Sequence, residues 1–147
     1  MRFLFLIFII NMHLFSDITI LDGKIIQWQD FNNVPKKNII WDEAKKYCKN
    51  LKEDGFSDWK LPTIDELFDA MLKTKDKPNS KVKDFTIVTH INYDTGHSAS
   101  NYNYWTINTN AQDKKYAWTL NIYNTNITSF KKTDLCCSVR CVRIKDE

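Results

Sequence analysis

Three loop residues in the middle of the sequence have side chains that could hold a metal ion or transfer a proton. They are His90, Asp94 and His97, and the hydroxyl groups of Ser98 and Ser100 lie close by. Their spacing matches no common ligand motif. A nucleophilic serine needs a base held by an orienting group, and the sequence identifies none. We therefore expect solvated histidines, with no catalytic residues, no metal and no cofactor, and we predict that the protein is not an enzyme.

The same part of the sequence holds aromatic residues that could stack on a sugar. Residues 77–103 have no helical period and are rich in Tyr, Asn, Ser and Thr, which predicts a long surface loop. The candidates for ligand binding are Tyr93, Tyr102, Asn103 and Tyr104. The alternative is that these residues simply belong to a polar loop with exposed aromatic side chains.

Four cysteines offer a different chemistry. They are Cys48, Cys136, Cys137 and Cys141. An even number in an exported protein predicts disulfides, with three possible pairings. A zinc site is the alternative, but the sequence contains no CxxC pair and its spacing fits no common set of zinc ligands.

The amino terminus predicts export. In "MRFLFLIFIINMHLFSD", Arg2 precedes an apolar run from Phe3 to Phe15, which is the pattern of a secretory signal peptide. The run is shorter than the ~20 apolar residues that a spanning helix needs. We expect cleavage after Ser16, so that residues 1–16 are the signal peptide and 17–147 the mature domain. An uncleaved membrane anchor is the alternative. The expected location is the periplasm, the cell surface or the medium.

Composition fits one globular domain without affinity for nucleic acid. The chain has 147 residues, of which 43% are hydrophobic and 14% aromatic, enough for a single core. Lys and Arg total 21 against 18 Asp and Glu, and no basic stripe stands out.

The elements that position these residues follow from periodicity and turn signals. Residues 39–55 predict a helix with an apolar stripe, and Pro62 and Thr63 predict the start of a second helix, with Glu66 completing a capping box. Strands are predicted near 24–30, 85–88, 104–109, 116–123, 127–132 and 137–145. A strand, two helices, a long loop and a run of antiparallel strands indicate an α+β fold.

Large apolar side chains in these elements form the predicted core. The stretch "GFSDWKLPTIDEL" at 55–67 places a bulky Trp between the two helices, where it can fill the space beneath both. Tryptophans next to helix stripes or within strands are usually structural. The predicted structural core comprises Trp41, Trp59, Leu61, Trp105 and Trp118.

Six short pieces in this order resemble the Lcl C-terminal domain family, a bacterial family of largely unknown function. They are "IIQWQD" at 25–30, the Trp41, Ala44, Cys48 and Leu51 positions of the first helix, "GFSDWKLPTIDEL", "YWT" at 104–106, "AW" at 117–118 and "VRCVR" at 139–143. The resemblance covers nearly all of the exported part.

The resemblance implies a C-type-lectin-like fold. In that fold two helices flank a mostly antiparallel sheet, the amino- and carboxy-terminal strands pair, and a long loop region carries ligands. It also implies a disulfide between Cys48 and Cys141, leaving Cys136 and Cys137 free, bonded to each other or available to another chain. The tripeptide and the Trp-Asn-Asp triplet of calcium-dependent sugar-binding lectins do not occur here, so a calcium site of that type is not expected.

The sequence thus predicts an exported, non-catalytic binding module. Its expected partner is a glycan or a cell-surface protein held by the loop at 77–103, with no nucleic acid and with a membrane only through an uncleaved leader. Its oligomeric state is open. The alternatives are a structural or interaction domain of the cell envelope without a small ligand and, less favoured, a hydrolase.

Overall fold

The computed structural model describes residues 18–30, 33–35, 38–75, 102–122 and 124–145. Two helices and two three-stranded antiparallel sheets make up these residues, an α+β fold as predicted. The strand order is β1-β2-β6 in one sheet and β3-β4-β5 in the other, where the family resemblance implied a single sheet. The elements are β1 (Ile18–Leu21), β2 (Lys24–Trp28), α1 (Trp41–Asn50), α2 (Ile64–Lys75), β3 (Asn103–Thr109), β4 (Tyr116–Asn121), β5 (Ile127–Lys131) and β6 (Val142–Lys145).

The first sheet starts with a hairpin of which the sequence predicted only the second strand. Asp22 and Gly23 connect β1 to β2 with φ angles of 51° and 76°, the left-handed backbone that a two-residue hairpin turn requires and that Asp and Gly tolerate. β2 pairs on its other side with β6, placing Trp28 opposite Val142. The predicted amino-terminal strand, β2, therefore pairs with the last strand, β6. The additional strand β1 forms the edge of this sheet.

Helix α1 is shorter than the predicted 39–55. It ends at Asn50, and Leu51 already has an extended backbone with φ −63° and ψ 130°. Gly55, expected to stop the helix, instead has φ 80° in a tight turn closed by mutual backbone hydrogen bonds between Glu53 and Phe56. The helix ends early because the chain turns back toward the first sheet, where Lys60 pairs with Val142.

The junction between the helices confirms two predictions. Trp59 and Leu61 are only 3% and 1% exposed, so they fill the core beneath the helices. The capping box of α2 is also present. The Glu66 backbone N–H donates to Thr63 Oγ1 at 3.1 Å, and the Thr63 backbone N–H donates to Glu66 Oε2 at 2.7 Å.

Two hydrophobic clusters hold the elements together, and each takes side chains from the second sheet. The first joins α2 to both sheets through Ile26, Trp28, Leu67, Ala70, Met71, Tyr104, Leu120, Ile122 and Val142. The second joins α1 to the second sheet through Ile39, Trp41, Ala44, Cys48, Trp59, Leu61, Trp105, Ala117, Cys137, Val139 and Cys141. The two faces of the second sheet therefore contribute to different clusters, since successive residues of a strand point to opposite faces.

The predicted last strand, 137–145, is regular only from Val142 onward. Upstream of it, Cys137 forms an isolated bridge with Ile39, and Ser138 forms a parallel bridge with Tyr104 of β3. This segment is buried between the sheets and ties the edge of the second sheet to the first. Its residues form only isolated bridges to different partners, and the regular ladder with β2 begins at Val142.

All four cysteines form disulfides in the structure. Cys48 of α1 is bonded to Cys141, 93 residues further along the chain, as the family resemblance implied. Cys136 and Cys137 are bonded to each other, which is one of the three outcomes left open for them. None of the helices within the described ranges has the length and hydrophobicity to cross a bilayer.

Candidate functional site

The residues predicted to bind ligand do not form a shared surface in the described part of the structure. Asn103 and Tyr104 begin β3 and are 4% and 7% exposed. Tyr104 packs in the first cluster, where burial raises the pKa of its hydroxyl while the charge of Arg140 acts in the opposite direction. Tyr102 is half-buried against the same cluster. Tyr93, with His90, Asp94 and His97, lies outside the described residues.

Asn103 is engaged in a structural contact. Its side-chain Oδ1 accepts a hydrogen bond of 3.2 Å from Nδ2 of Asn121, the residue directly opposite it on β4. This buried amide pair satisfies polar groups that would otherwise be costly to bury. The Asn103 and Tyr104 side chains are thus packed inside the domain, where they are not displayed to a ligand.

A different pair of aromatic side chains reaches solvent from β4. Tyr116, Trp118 and Leu120 share one face of the strand because they are two residues apart. Leu120 is fully buried in the first cluster, whereas Trp118 and Tyr116 are half-buried and belong to neither cluster. The prediction that Trp118 is a core residue is therefore wrong. Burial on this strand face is thus complete at Leu120 and only partial at Trp118 and Tyr116.

Polar side chains frame these two aromatics. Ser129 is directly opposite Trp118 on β5, and Lys131 is directly opposite Tyr116. The Nδ2 group of Asn110 donates a 3.4 Å hydrogen bond to Ser129 Oγ, so an amide and a hydroxyl meet beside the aromatic pair. We call these five residues the β4 aromatic surface: Asn110, Tyr116, Trp118, Ser129 and Lys131.

The turn between β3 and β4 fixes one end of this surface. Asn110 Oδ1 accepts from the Gln112 backbone N–H at 2.9 Å, and Asp113 Oδ1 accepts from the Lys115 N–H at 2.9 Å. Such side-chain to backbone bonds are typical of Asx turns and rigidify a loop. The backbone N–H of Asn110 also donates to the Tyr116 carbonyl oxygen at 2.9 Å. The amide group is thereby held at a fixed position relative to the aromatic side chains.

A second aromatic group is covered by cations and has a structural role. Trp41 begins α1, and its Nε1 donates to the Thr106 carbonyl oxygen at 2.8 Å. The Nζ atoms of Lys45 and Lys132 lie 3.7 Å and 4.1 Å from its ring centroid. These cation–π contacts stabilise the ring and occlude it, so that a ligand would first have to displace two ammonium groups.

One buried carboxylate was not singled out from the sequence. Glu53 Oε1 accepts from the Asp30 backbone N–H at 2.6 Å, and Oε2 accepts from Asn33 Nδ2 at 3.0 Å. Burial raises its pKa, the hydrogen bonds from Asp30 and Asn33 oppose that shift, and the charges of Asp54 and Asp30 add to it. Both oxygens accept hydrogen bonds from the segment that follows β2, so this carboxylate holds that segment in place. The sequence gives little indication of this role of Glu53, because its hydrogen-bond partners lie at least 20 residues away along the chain.

The described residues contain no group of three or more His, Cys, Asp or Glu side chains placed to hold a metal ion. The Asp58 carboxylate is engaged in an ion pair, because its Oδ1 lies 2.7 Å from Arg143 Nε.

No curated protein matches this sequence. The family model described as the Lcl C-terminal domain matches residues 19–143, which include every described strand and helix except the first residue of β1 and the last two of β6. This match spans far more than half of the chain and agrees with the resemblance seen in its motifs, so the chain belongs to the Lcl C-terminal domain family.

Proposed function

We propose that this protein is an exported, non-catalytic binding module that recognises carbohydrate through the β4 aromatic surface. The observation that carries the proposal is the pair of half-buried aromatic side chains, Tyr116 and Trp118, on one face of a strand. The predicted binding loop at 77–103 stays a prediction, because most of it lies outside the described residues.

The chemistry of this surface suits a sugar. A pyranose ring has an apolar C–H face, which packs against an aromatic ring, and a rim of hydroxyl groups, which need hydrogen-bond partners. Trp118 and Tyr116 supply the aromatic part, and Asn110, Ser129 and Lys131 supply an amide, a hydroxyl and an ammonium group around it. Binding sites commonly combine an apolar platform with a few placed polar groups.

Export is supported by two independent features. The leader at 1–16 has the pattern of a signal peptide. All four cysteines are bonded, and disulfides persist in oxidising compartments and are rare in the cytosol.

The test is a glycan-array screen of the exported protein, with and without calcium, followed by titration of the glycans that bind. Replacing Trp118 by Ala should weaken binding by about tenfold or more, equivalent to about 1.4 kcal/mol, because the stacking surface is lost. Trp118→Phe should retain part of the affinity, since it keeps a smaller aromatic face.

The matched control is Leu135→Ala, because Leu135 is a strongly exposed apolar residue outside the β4 aromatic surface. That variant should bind like the unmodified protein. Binding that survives in Trp118→Ala would place the ligand elsewhere, and an array without any bound glycan would reject carbohydrate as the ligand class.

A structural or protein-interaction domain without a small ligand is the second candidate. It is favoured by the burial of Asn103 and Tyr104 and by the exposure of Ile18 and Ile20, which are 53% and 59% exposed on β1. Exposed apolar side chains of this kind are more typical of protein contacts than of sugar sites. Failure of every glycan together with capture of a defined envelope protein would favour this candidate.

A further inference from the structure

Strand β5 forms the outer edge of the second sheet. The order of that sheet is β3-β4-β5, and the opposite edge, at β3, is covered by the bridge between Tyr104 and Ser138. We call Ile127–Lys131 the β5 edge. No strand of the described ranges pairs with its outer side.

The hydrogen-bonding direction of each β5 residue follows from the two ends of the hairpin. Asn121 N–H donates to the Asn126 carbonyl oxygen, and Lys132 N–H donates to the Lys115 carbonyl oxygen. In an antiparallel pair, hydrogen-bonded and non-hydrogen-bonded residues alternate. Thr128 and Phe130 therefore bond to β4. The backbone groups of Ile127, Ser129 and Lys131 point away from it, toward the β5 edge.

The β5 edge has few of the features that normally block strand addition. Its pairing with β4 is regular from Ile127 to Lys131, without a bulge, and it contains no proline. Ile127 is 44% exposed. Lys131 is the only charged side chain on the edge. An exposed, regular edge of this kind is a template for another strand.

We propose that two copies of this chain associate by antiparallel pairing of their β5 edges, with Ser129 opposite Ser129 of the second copy. This register uses the whole strand and places Ile127 opposite Lys131 of the second copy. The aliphatic stem of lysine can cover the isoleucine while its ammonium group stays in water. A register that places Lys131 opposite Lys131 is disfavoured by like-charge repulsion.

The alternative register with Ile127 opposite Ile127 fits less well. It places Ser129 opposite Thr125 of the second copy, and Thr125 has a φ of 63° in the hairpin turn, where no extended strand is available for pairing. The Ser129-centred arrangement instead joins the two sheets into one of six strands. It also brings the two Trp118 side chains onto one continuous face, about 14 Å apart at the usual strand spacing.

Sedimentation equilibrium of the exported protein over a range of concentrations tests this association. Ile127→Lys and Ile127→Glu remove the same side chain but add opposite charges facing Lys131 of the second copy. We expect Ile127→Lys to raise the dimer dissociation constant about tenfold, equivalent to about 1.4 kcal/mol, and Ile127→Glu to lower it at low salt.

Ser129→Pro tests the backbone pairing directly. It removes an outward N–H and leaves the ladder to β4 intact, because proline is tolerated on edge strands where the N–H faces away from the sheet. It should abolish association, whereas Ser129→Ala, which keeps the N–H, should not. Circular dichroism verifies that both variants fold.

A monomer at every concentration would overturn the proposal. Equal weakening by Ile127→Lys and Ile127→Glu, or dimers of unchanged affinity in a folded Ser129→Pro variant, would also overturn it, because either shows association through another surface. The proposal does not depend on carbohydrate binding, since the Trp118→Ala variant keeps the β5 edge and should dimerise normally.

Discussion

At the scale of single residues, the most informative contact is that of a buried arginine. Arg143 is 5% exposed, and its Nε donates to Asp58 Oδ1 at 2.7 Å, while its NH1 donates to Gln27 Oε1 at 2.8 Å. The guanidinium carbon also lies 3.6 Å from the Phe56 ring centroid. A buried guanidinium needs such partners, because an unpaired buried charge is strongly destabilising.

This contact predicts a pH dependence of stability. The hydrogen bond from Arg143 holds the pKa of Asp58 below its usual value of 3.8. The Asp58 carboxylate therefore stabilises the fold at neutral pH, and this contribution is lost as the pH falls from about 4 through the lowered pKa. Asp58→Asn should lower the free energy of unfolding at pH 7 by at most about 1 kcal/mol, because Asp58 is half-exposed and screened by solvent.

Urea unfolding at pH 7 and at pH 2.5 measures the effect. The difference between the unmodified protein and Asp58→Asn should shrink at the lower pH. Asp22→Asn, which removes a carboxylate from the β1–β2 turn, controls for the change in charge alone. A difference that stays the same at both pH values would show that Asp58 acts through something other than its charge.

At the scale of elements, the start of α2 shows how far local sequence determines structure. Thr63 and Glu66 form the capping box that their spacing predicts. The backbone N–H of Ile64, however, donates to Asn108 Oδ1 of β3 at 2.9 Å, and Lys60 Nζ lies 3.2 Å from Glu66 Oε1. The local motif starts the helix, and the sheet supplies a further acceptor that no local pattern indicates.

Removing the cap should destabilise the domain measurably. Thr63→Ala leaves the Glu66 N–H without its acceptor and should cost about 1 kcal/mol in the free energy of unfolding. Thr63→Ser keeps the hydroxyl and should cost clearly less. Thermal or chemical unfolding compares the two variants, and equal losses would mean that the methyl group of Thr63 matters more than its hydrogen bond.

At the scale of the whole molecule, the disulfide between Cys48 and Cys141 connects α1 to the segment that precedes the last strand. Its sequence separation of 93 means that it closes most of the domain into one loop. Cys136 and Cys137 are adjacent, so their bond closes no loop of chain. The stabilisation from loop closure therefore resides almost entirely in the first bond.

Replacing Cys48 and Cys141 together by Ala should lower the free energy of unfolding by roughly 4–5 kcal/mol in the chain-entropy model, with smaller losses where the unfolded chain is compact. Replacing Cys136 and Cys137 by Ala should cost less. Chemical denaturation of both double variants measures the losses. A larger loss from the adjacent pair would show that the packing of Cys137 in the second cluster outweighs loop closure.

The amino-acid sequence by itself determined the features that depend on neighbours along the chain. These are the two helices and their apolar stripes, the capping box at Thr63, the strand pattern of the second sheet and the family. Trp59 and Leu61 are also buried, as their position at the junction of the two helices predicts.

Only the tertiary structure decided which face of each strand is covered and where that cover ends. Alternation placed Trp118 and Leu120 on one face, but a single strand cannot show that burial is complete at Leu120 and only partial at Trp118. The sequence predicts Tyr104 at the start of a strand and, from its polar neighbours, as a ligand contact, yet its side chain packs in the core. Burial depends on contacts between residues far apart in the chain, and those contacts form only when the sheets and helices pack.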